Sequence, residues 1–317
     1  MSARVGVVGA SGYTGGETIR WLLAHASVEL AAVVGRKHVG EPLTALHPGL
    51  LGLTELRVEA FDAERLAKLD AVLLCTPHGA ARELAAALDA AGAPRVIDLS
   101  ADHRHAAGWQ YGMVDWRAEA LLNAPRIAVP GCFATAMSLS IAPLVAAGVV
   151  AGPVNIAAAT GSTGSGVSPS AGTHHPERFV DLRAYKVLKH QHVPEVEAFL
   201  GMLGDAPHLR FVPWSAPVDR GIFATSFVPL TGEVDVAAIF ADAYASTPSV
   251  RLRPETPNLR HVRGTGFCDL AVHREGDCAV VLAAIDNLGK GAAAQAVQCL
   301  ELSLGLPLGR PTSPLIP

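Results

Sequence analysis

Residues 4–16, RVGVVGASGYTGG, run from an apolar stretch through a glycine-rich loop into a helical pattern. The pattern predicts a short buried strand at Arg4–Val8 and a helix at Gly15–Ala26. The next strand is predicted at Glu29–Gly35, which completes a strand–loop–helix–strand unit within about 30 residues. In such a unit the backbone N–H groups of the loop and the N-terminus of the helix can hold a pyrophosphate. We therefore predict a dinucleotide-binding domain around this segment.

The glycine spacing and the end of the second strand bear on which dinucleotide is bound. The loop follows a GxxGxxG pattern over Gly9–Gly15 and departs from GxGxxG, so a tight turn without a ligand is the alternative. The second strand is followed by Arg36 and Lys37, with no acidic residue before Glu41. An acidic residue there holds the ribose 2′-hydroxyl of NAD, whereas a basic one accommodates the 2′-phosphate of NADP. The two cations therefore favour NADP(H), and a solvated basic turn is the alternative.

Strands and helices continue to alternate through the first part of the chain. Near-continuous apolar runs predict strands at Asp70–Cys75, Arg95–Leu99 and Arg126–Val129, and a helix is predicted at Ala80–Ala91. Strands of this kind are typical of a parallel sheet that is buried on both faces. We predict an α/β fold whose first domain is Rossmann-like and doubly wound, with a loop at Arg36–Leu53.

The pattern changes after about Gly152, where a mostly antiparallel sheet with helices is predicted. The predicted strands are Leu209–Val212, Ile222–Leu230, Leu259–Val262 and Cys278–Ile285. The predicted helices are Val234–Ala245 and Gly291–Leu304. This second part is therefore expected to be an α+β domain.

Composition excludes several classes of function. The chain has 317 residues, enough for two modest domains, and half of them are hydrophobic. The formal net charge is −4 and no long basic run is present, which argues against binding of nucleic acid or of an anionic membrane surface. No apolar window reaches about 18 residues, so no membrane span is expected. The five cysteines form no CxxC pair and no signal peptide is recognised, so we expect a reduced, cytoplasmic protein.

Cys132 is the candidate nucleophile. It follows Pro130-Gly131 and precedes an Ala- and Leu-rich helix predicted at Phe133–Ala147. A helix N-terminus lowers the pKa of a thiol and so raises the fraction of thiolate near pH 7. A buried structural cysteine is the alternative, and it is our interpretation of the four remaining cysteines.

The segment His190-Gln191-His192-Val193-Pro194-Glu195 supplies candidate proton partners for a nucleophile. Alternation in an extended chain would place His190 and His192 on the same side, and Glu195 could fix the tautomer of one of them. Paired histidines can also bind a metal, but no third ligand follows at a recognisable spacing. We therefore expect general acid–base chemistry and no metal.

The chain resembles the N-acetyl-gamma-glutamyl-phosphate reductase family nearly from end to end. The resemblance is carried by several motifs in one order: residues 9–15, Thr76-Pro77-His78-Gly79, residues 96–104, Pro130-Gly131-Cys132, Arg183-Ala184-Tyr185-Lys186, residues 190–195, Asp219-Arg220-Gly221-Ile222 and residues 286–292. It implies an NADP-binding domain at residues 1–131, completed by a C-terminal helix at 289–317. It also implies a catalytic and dimerisation domain at 132–288 that is similar to that of glyceraldehyde-3-phosphate dehydrogenase.

The resemblance also implies a reaction. Cys132 would attack N-acetyl-gamma-glutamyl phosphate and expel phosphate, and NADPH would reduce the resulting thioester to N-acetylglutamate 5-semialdehyde. His190 or His192 would be the acid or base, with the backbone N–H of Cys132 as a donor to the acyl oxygen. A homo-oligomer, either a dimer or a tetramer, is implied as well.

The expected binding residues follow from the same motifs. For NADP(H) they are Gly9, Ser11, Gly12, Tyr13, Thr14, Gly15, Arg36, Lys37, Pro77, His78, Ser100 and Asn287. For the substrate they are Arg104, Ser162, Arg183 and Arg220, where an arginine can hold phosphate or carboxylate and a surface ion pair is the alternative.

Three other functions remain open at this point. Residues 173–178 resemble a variant found in the related lysine-pathway reductases, whose substrate is one methylene longer and is linked to a carrier protein. A carrier protein is a partner only under that alternative. Aspartate-semialdehyde dehydrogenase has similar chemistry and fold, but the segment at 190–195 argues against it. A redox-sensing NADP-binding protein, with Cys132 as an oxidation target, is the alternative outside catalysis.

Overall fold

The computed structural model describes residues 2–309 and 311. The strands are β1 (Ala3–Val8), β2 (Val28–Val34), β3 (Val58–Glu59), β4 (Ala71–Leu74), β5 (Val96–Asp98), β6 (Gln110–Tyr111), β7 (Arg126–Ala128), β8 (Val154–Thr160), β9 (Arg183–Ala184), β10 (Leu209–Ser215), β11 (Ile222–Pro229), β12 (Val250–Leu252), β13 (Cys268–Glu275) and β14 (Cys278–Ile285). The helices are α1 (Tyr13–Leu23), α2 (Leu43–Leu46), α3 (Ala63–Leu66), α4 (Ala81–Ala90), α5 (Val114–Leu121), α6 (Cys132–Ala146), α7 (His175–Arg178), α8 (His192–Leu200), α9 (Val236–Tyr244), α10 (Leu259–Val262) and α11 (Ala294–Ser303). Short 3₁₀ turns lie at Pro48–Leu50, Ser162–Ser165 and Ala171–Thr173, and a π-helical turn lies at Gly289–Ala293.

The chain divides into two compact units. One holds the described residues up to Gly131 together with those from Ala292 onward, and the other is Cys132–Gly291. Of the predicted C-terminal segment 289–317, residues 310 and 312–317 lie outside the described part of the chain.

The first unit is built on a parallel sheet with the strand order β3-β2-β1-β4-β5-β7-β6. Its neighbouring strands all pair in parallel. From β1 the chain first adds β2 and β3 on one side of the sheet and then adds β4 and the later strands on the other side. The order of strand addition therefore reverses beside β1. The glycine-rich loop follows β1 at this switch point, which is where open α/β sheets bind their ligands.

Apolar residues of strands and helices share the core of the first unit. Val5 and Val7 of β1 are fully buried against Ile19 and Leu22, which lie on one face of α1. The same cluster contains Leu300 of α11, so the C-terminal helix belongs to the core of this unit. Each buried aliphatic side chain of this kind contributes about 1.5–3 kcal/mol to stability.

The second unit is built on a mixed sheet with the strand order β12-β13-β14-β11-β8-β10-β9. Its pairings are antiparallel except for β12 with β13 and β8 with β10. One face of the sheet is covered by helices that include α6, whose residues from Phe133 to Val145 are all buried. A helix that is apolar on every side is typical of a buried position.

These observations confirm the predicted α/β class, with a doubly wound parallel sheet first and an α+β part second. The prediction of a strand at Leu259–Val262 is wrong, because these residues form α10. Asn258 precedes that helix and its side chain accepts a hydrogen bond from the backbone N–H of Arg260 at 2.9 Å. A four-residue segment with apolar residues only at Leu259 and Val262 fits either structure, and the cap decides for the helix. The strand that pairs with β14 here is β13, which the sequence reading missed.

Two smaller expectations also differ from the structure. The predicted loop at Arg36–Leu53 contains α2 and the 3₁₀ turn at Pro48–Leu50. The segment that carries the paired histidines is not extended, because His192 is the first residue of α8. Pro194 lies in the first turn of that helix, where a missing N–H costs nothing.

Two features are absent from the described residues. No helix among them is long and apolar enough to cross a membrane. No group of three or more His, Cys, Asp or Glu side chains in that part of the chain is placed to hold a metal ion.

Candidate active site

The glycine loop in the first unit owes its shape to two close backbone contacts. Gly9 has a φ of 95°, and a Cβ atom there would lie 2.4 Å from the carbonyl oxygen of Cys75. A Cβ atom on Gly15 would lie 2.2 Å from the carbonyl oxygen of Gly9. Any side chain at either position would push the loop away from the sheet or from α1.

Gly12 differs from the other two glycines because nothing crowds it. A Cβ atom there would have no neighbour closer than 3.7 Å, and no side chain caps α1 at this residue. The first N–H groups of a helix favour an anion, and a glycine lets a ligand approach them closely. The loop therefore fits a dinucleotide pyrophosphate. Beside Gly12, Ser11 and Tyr13 are exposed and Thr14 is half-buried.

His47 supports this loop, and the sequence reading missed it. Its Nε2 lies 2.7 Å from the carbonyl oxygen of Ala10, and its ring lies so close to Gly16 that a Cβ there would be 2.5 Å away. Because 37 residues separate His47 from Ala10, no local pattern marks the contact.

The remaining predicted cofactor residues of the first unit lie after its strands. Arg36 and Lys37 are exposed just beyond the end of β2. Pro77 and His78 are exposed after β4, and the backbone N–H of Ala101 donates to Nδ1 of His78 at 3.0 Å. This bond ties the loop after β4 to the loop after β5.

Ser100 and Arg104 are fixed by neighbouring polar groups. The hydroxyl of Ser100 donates to the buried carboxylate of Asp98 at 2.8 Å, and Nδ1 of His103 donates to the same carboxylate at 2.7 Å. Nε of Arg104 donates to the carbonyl oxygen of Val129 at 3.0 Å. These bonds hold the segment after β5 at the carboxyl edge of the parallel sheet.

Cys132 is the first residue of α6 and is partly exposed. This position matches the predicted setting for a thiolate at a helix N-terminus. Gly291 packs directly on it, since a Cβ atom there would lie 2.9 Å from the Cβ atom of Cys132. The other cysteines within the described residues are free thiols too, and Cys75, Cys268 and Cys299 are buried as predicted. The prediction is wrong for Cys278, which is partly exposed at the start of β14.

The structure brings the two predicted histidines together and packs them against Phe133, the residue that follows Cys132. The ring centroids of His190 and His192 are 4.7 Å apart, and that of His190 lies 5.3 Å from the ring of Phe133. Both histidines and Glu195 are buried. The reason for the proximity is not an extended chain, as the sequence suggested, but the turn into α8. His192 and Glu195 are three residues apart on that helix and share a face.

His190 is held in one tautomer. The backbone N–H of His192 donates to its Nδ1 at 3.2 Å. A neutral imidazole whose Nδ1 accepts carries its proton on Nε2, so His190 presents an N–H donor on that side. Burial lowers the pKa of His190 to about 4, and the nearby positive charge of Lys186 acts in the same direction.

Tyr185 and Arg178 belong to the same region and were not among the predicted site residues. The ring of Tyr185 lies 6.0 Å from that of His190. Burial raises the pKa of its phenol, the charge of Cys132 raises it further, and that of Arg178 opposes the shift. Arg178 is buried, and burial lowers the pKa of its guanidinium. Arg178 is the last residue of α7 and of the segment 173–178 that the sequence analysis singled out, but nothing in that pattern shows that its side chain is buried.

The predicted substrate arginines of the second unit already have carboxylate partners. Arg183 is exposed and pairs with Asp181 at 2.6 Å. Arg220 pairs with the buried carboxylate of Asp286 at 2.9 Å. Their charges are balanced within the protein, which agrees with the ion-pair alternative.

Ser162 and Asn287 lie in neighbouring loops of the second unit. The backbone N–H of Ser162 donates to the carbonyl oxygen of Val218 at 2.9 Å. Asn287 is buried, and its Oδ1 accepts from the backbone N–H of Gly221 at 2.7 Å. Its Nδ2 donates to the hydroxyl of Thr163 at 3.0 Å, so both ends of the amide are used inside this unit.

Two family models match the chain, and they place it in a class. The model described as semialdehyde dehydrogenase, NAD binding domain, matches residues 4–124. The model described as semialdehyde dehydrogenase, dimerisation domain, matches residues 132–287. Together with the nucleotide loop and the cysteine at the start of α6, they define an oxidoreductase of the semialdehyde dehydrogenase class that uses a nicotinamide cofactor.

Solved structures agree with this fold. Aspartate semialdehyde dehydrogenase II from Vibrio cholerae has a TM-score of 0.80 at 17% identity, over 96% of this chain and 99% of that one. A probable aspartate-semialdehyde dehydrogenase from Pseudomonas aeruginosa has a TM-score of 0.78 at 19% identity, with the same coverage. At such identities the likeness concerns the fold alone.

Curated relatives identify the family. N-acetyl-gamma-glutamyl-phosphate reductase of Salinispora arenicola is 40% identical over 97% of this chain and 96% of its own length. The proteins of the same name from Ectopseudomonas mendocina and Methanocella arvoryzae are 39% and 38% identical over 96% and 95% of this chain. The chain belongs to the N-acetyl-gamma-glutamyl-phosphate reductase family, which confirms the resemblance seen in its motifs.

Proposed function

We propose that this enzyme reduces N-acetyl-gamma-glutamyl phosphate to N-acetylglutamate 5-semialdehyde and phosphate, with NADPH as the reductant, in arginine biosynthesis. The observation that carries the proposal is the partly exposed Cys132 at the start of α6, within the same unit as the buried pair His190 and His192. The name shared by the relatives supports the glutamyl substrate over the lysine-pathway alternative.

In the first step, the Cys132 thiolate attacks the acyl carbon and the C–O bond to phosphate breaks. A carboxylate is a poor hydride acceptor and a thioester is a much better one, so the covalent step divides a hard reduction into two easier steps. The position of Cys132 at the helix N-terminus favours the anionic sulfur that this step needs.

In both steps the acyl oxygen becomes negatively charged. We assign the stabilisation of this charge to the backbone N–H of Cys132 and to Nε2–H of His190. His190 suits this role because its Nδ1 is already occupied by the backbone of His192, so the imidazole is a neutral donor and a poor base. Each such donor contributes about 3–4 kcal/mol to lowering the barrier.

The overall reaction consumes one proton for each hydride. When bound, the reduced nicotinamide supplies the hydride to the thioester carbon. We assign the proton to His192, which shares a helical face with Glu195, a residue able to fix its orientation. His192 gives this proton to the departing phosphate in the first step, so that it leaves as HPO₄²⁻. After hydride transfer the thiohemiacetal oxyanion collapses, which releases the aldehyde and restores the Cys132 thiolate without a further proton.

For the cofactor, we propose that residues 1–131 and the C-terminal helix form the binding domain, with residues 132–288 as the catalytic and dimerisation domain. NADPH is favoured over NADH because Arg36 and Lys37 follow β2 and are exposed to meet a 2′-phosphate. The sequence prediction of Ser11, Tyr13 and Thr14 as further contacts is supported by their place around Gly12.

We also propose that the enzyme is a homodimer or a dimer-based tetramer. The sheet face of the second unit that helices do not cover carries apolar residues in register, such as Phe227 opposite Val280 on neighbouring strands. Phe227 is 46% exposed and Trp214, on the same face, is 36% exposed. A second copy of this face would bury such residues, which agrees with the description of the matched dimerisation domain. The proposed compartment is the cytoplasm, where free thiols stay reduced.

The substrate is tested by assaying the purified enzyme in the reverse direction with phosphate and NADP⁺. We expect turnover with N-acetylglutamate 5-semialdehyde and much weaker turnover with the aminoadipate homologue linked to its carrier protein. One methylene in a pocket changes specificity by about 1–3 kcal/mol, or roughly 10- to 200-fold. A preference for the longer substrate, or for aspartate semialdehyde, would overturn the proposal.

A further inference from the structure

Arg178 is a buried cation with neutral partners. Its side chain belongs to a residue that is 7% exposed, and its guanidinium donates to the hydroxyl of Ser215 and, at 3.2 Å, to the carbonyl oxygen of Thr160. Among the residues that the structure describes, no carboxylate forms an ion pair with it, and the more distant charges of Asp181 and Arg183 act on its pKa in opposite senses. Removing an unpaired charge from water costs several kcal/mol, so such an arginine is normally found where an anion is bound.

The position of Arg178 connects it to the nucleophile. Thr160 and Ser215 are the last residues of the parallel strands β8 and β10 and are paired in register. Two residues before Ser215, the carbonyl oxygen of Pro213 accepts from the backbone N–H of Tyr185 at 3.1 Å. The Tyr185 ring then adjoins that of His190, which lies beside Phe133 and so beside the start of α6.

The effect of two charges on one phenol supports the same arrangement. The pKa of Tyr185 responds to the negative charge of Cys132 and, in the opposite sense, to the positive charge of Arg178. Tyr185 is therefore close to both groups.

We propose that Arg178 binds the anionic group of the acyl-phosphate substrate, the role that the sequence suggested for Arg183 and Arg220. This inference rests on the proposed function, because it takes that substrate as given. A guanidinium offers a planar fork that matches the oxygens of a phosphoryl group or a carboxylate. The substrate carries both a phosphoryl group and a carboxylate. In the reverse reaction these two anions arrive on different molecules, because phosphate and the semialdehyde are then separate substrates.

The test compares Arg178→Met and Arg178→Lys with the wild-type enzyme in the reverse direction. The matched control is Arg253→Met, which removes an exposed arginine that directly follows β12, at the edge of the same sheet. We expect Arg178→Met to raise one KM about 10- to 100-fold, since a hydrogen bond to a charged group is worth that much. A rise in the KM of phosphate places the phosphoryl group on Arg178, and a rise in the KM of the semialdehyde places the carboxylate there. Arg178→Lys should show a smaller rise in the same constant.

Thermal unfolding in the presence and absence of inorganic phosphate or N-acetylglutamate gives a readout that needs no turnover. The anion that raises the Tm of the wild type should lose this effect in Arg178→Met and keep it in Arg253→Met. If Arg178→Met does not fold, the lysine variant decides by the same two measurements. Unchanged KM values and an unchanged Tm response would overturn the inference, as would Arg183→Met producing the effect instead. Failure of the proposed function is distinct, because the wild type would then show no turnover with the glutamyl substrate.

Discussion

Replacing Gly291 by alanine tests the geometry around the nucleophile. The added Cβ atom would lie 2.9 Å from the Cβ atom of Cys132 and 3.2 Å from its Cα atom. Carbon atoms in good contact lie about 3.5–4.0 Å apart, so the two residues must separate by up to about 1 Å. A displacement of that size at a reacting atom costs about 100-fold in rate. We expect Gly291→Ala to lower kcat about 10- to 100-fold and to leave the affinity for NADPH nearly unchanged.

The assay for this variant has three parts. Steady-state kinetics gives kcat, fluorescence titration gives the Kd of NADPH, and the rate of alkylation by iodoacetamide reports the accessibility of the Cys132 sulfur. Gly152→Ala is the control, because a Cβ atom there would meet only Pro229, at an ordinary distance of 3.9 Å. If folded Gly291→Ala kept kcat within twofold of the wild type, the packing of Gly291 on Cys132 would not matter and the reasoning would be refuted.

Three further predictions concern the hydrogen-bond donor to the acyl oxygen, the cofactor and the oligomer. His190→Gln keeps an N–H donor and should retain more kcat than His190→Ala, which should lose about 100- to 1000-fold. Because the pKa of His190 is about 4, the pH profile of kcat between pH 5.5 and 8 should keep its inflections in His190→Gln. Loss of an inflection in that variant would identify His190 as the base instead. Replacing Arg36 and Lys37 together by serine should raise the KM of NADPH about tenfold or more and leave the KM of NADH unchanged. The control Lys68→Ser, at another exposed lysine, should alter neither KM. An equal rise in KM for both cofactors would exclude a contact with the 2′-phosphate. Phe227→Glu should convert the oligomer to monomers, as measured by light scattering. The control Met202→Glu, at another exposed apolar residue, should leave the oligomer intact. An oligomer that stays intact in Phe227→Glu would place the interface elsewhere.

The parts of the fold that follow from local patterns could be predicted from the sequence. The loop after β1 is marked by its glycines, and the contacts of Gly9 and Gly15 show why no other residue fits there. The start of α6 is marked by Pro130-Gly131 and a long apolar run, so the predicted start at Phe133 differs by one residue from the observed start at Cys132. Parallel buried strands such as β4 leave an equally direct signal in their continuous apolar sequence.

Other parts depend on contacts that a local reading cannot see. Residues 259–262 are apolar only at their two ends and too few to distinguish a strand from a helix. The hydrogen bond that the side chain of Asn258 accepts from Arg260 decides for a helix. The side chains of His190 and His192 are close because the chain turns into α8 between these two residues. They do not alternate along an extended strand, as the sequence pattern suggested. Among the arginines, charge alone could not separate Arg220, which pairs with Asp286, from the buried Arg178.

The most direct test of the account is to mix the enzyme with N-acetyl-gamma-glutamyl phosphate in the absence of any nicotinamide cofactor. The account predicts a stoichiometric release of phosphate and an acyl group on the peptide that contains Cys132, detected by mass spectrometry, with neither seen in Cys132→Ser. Phosphate release only after NADPH is added, or full turnover by Cys132→Ser, would contradict the thioester mechanism.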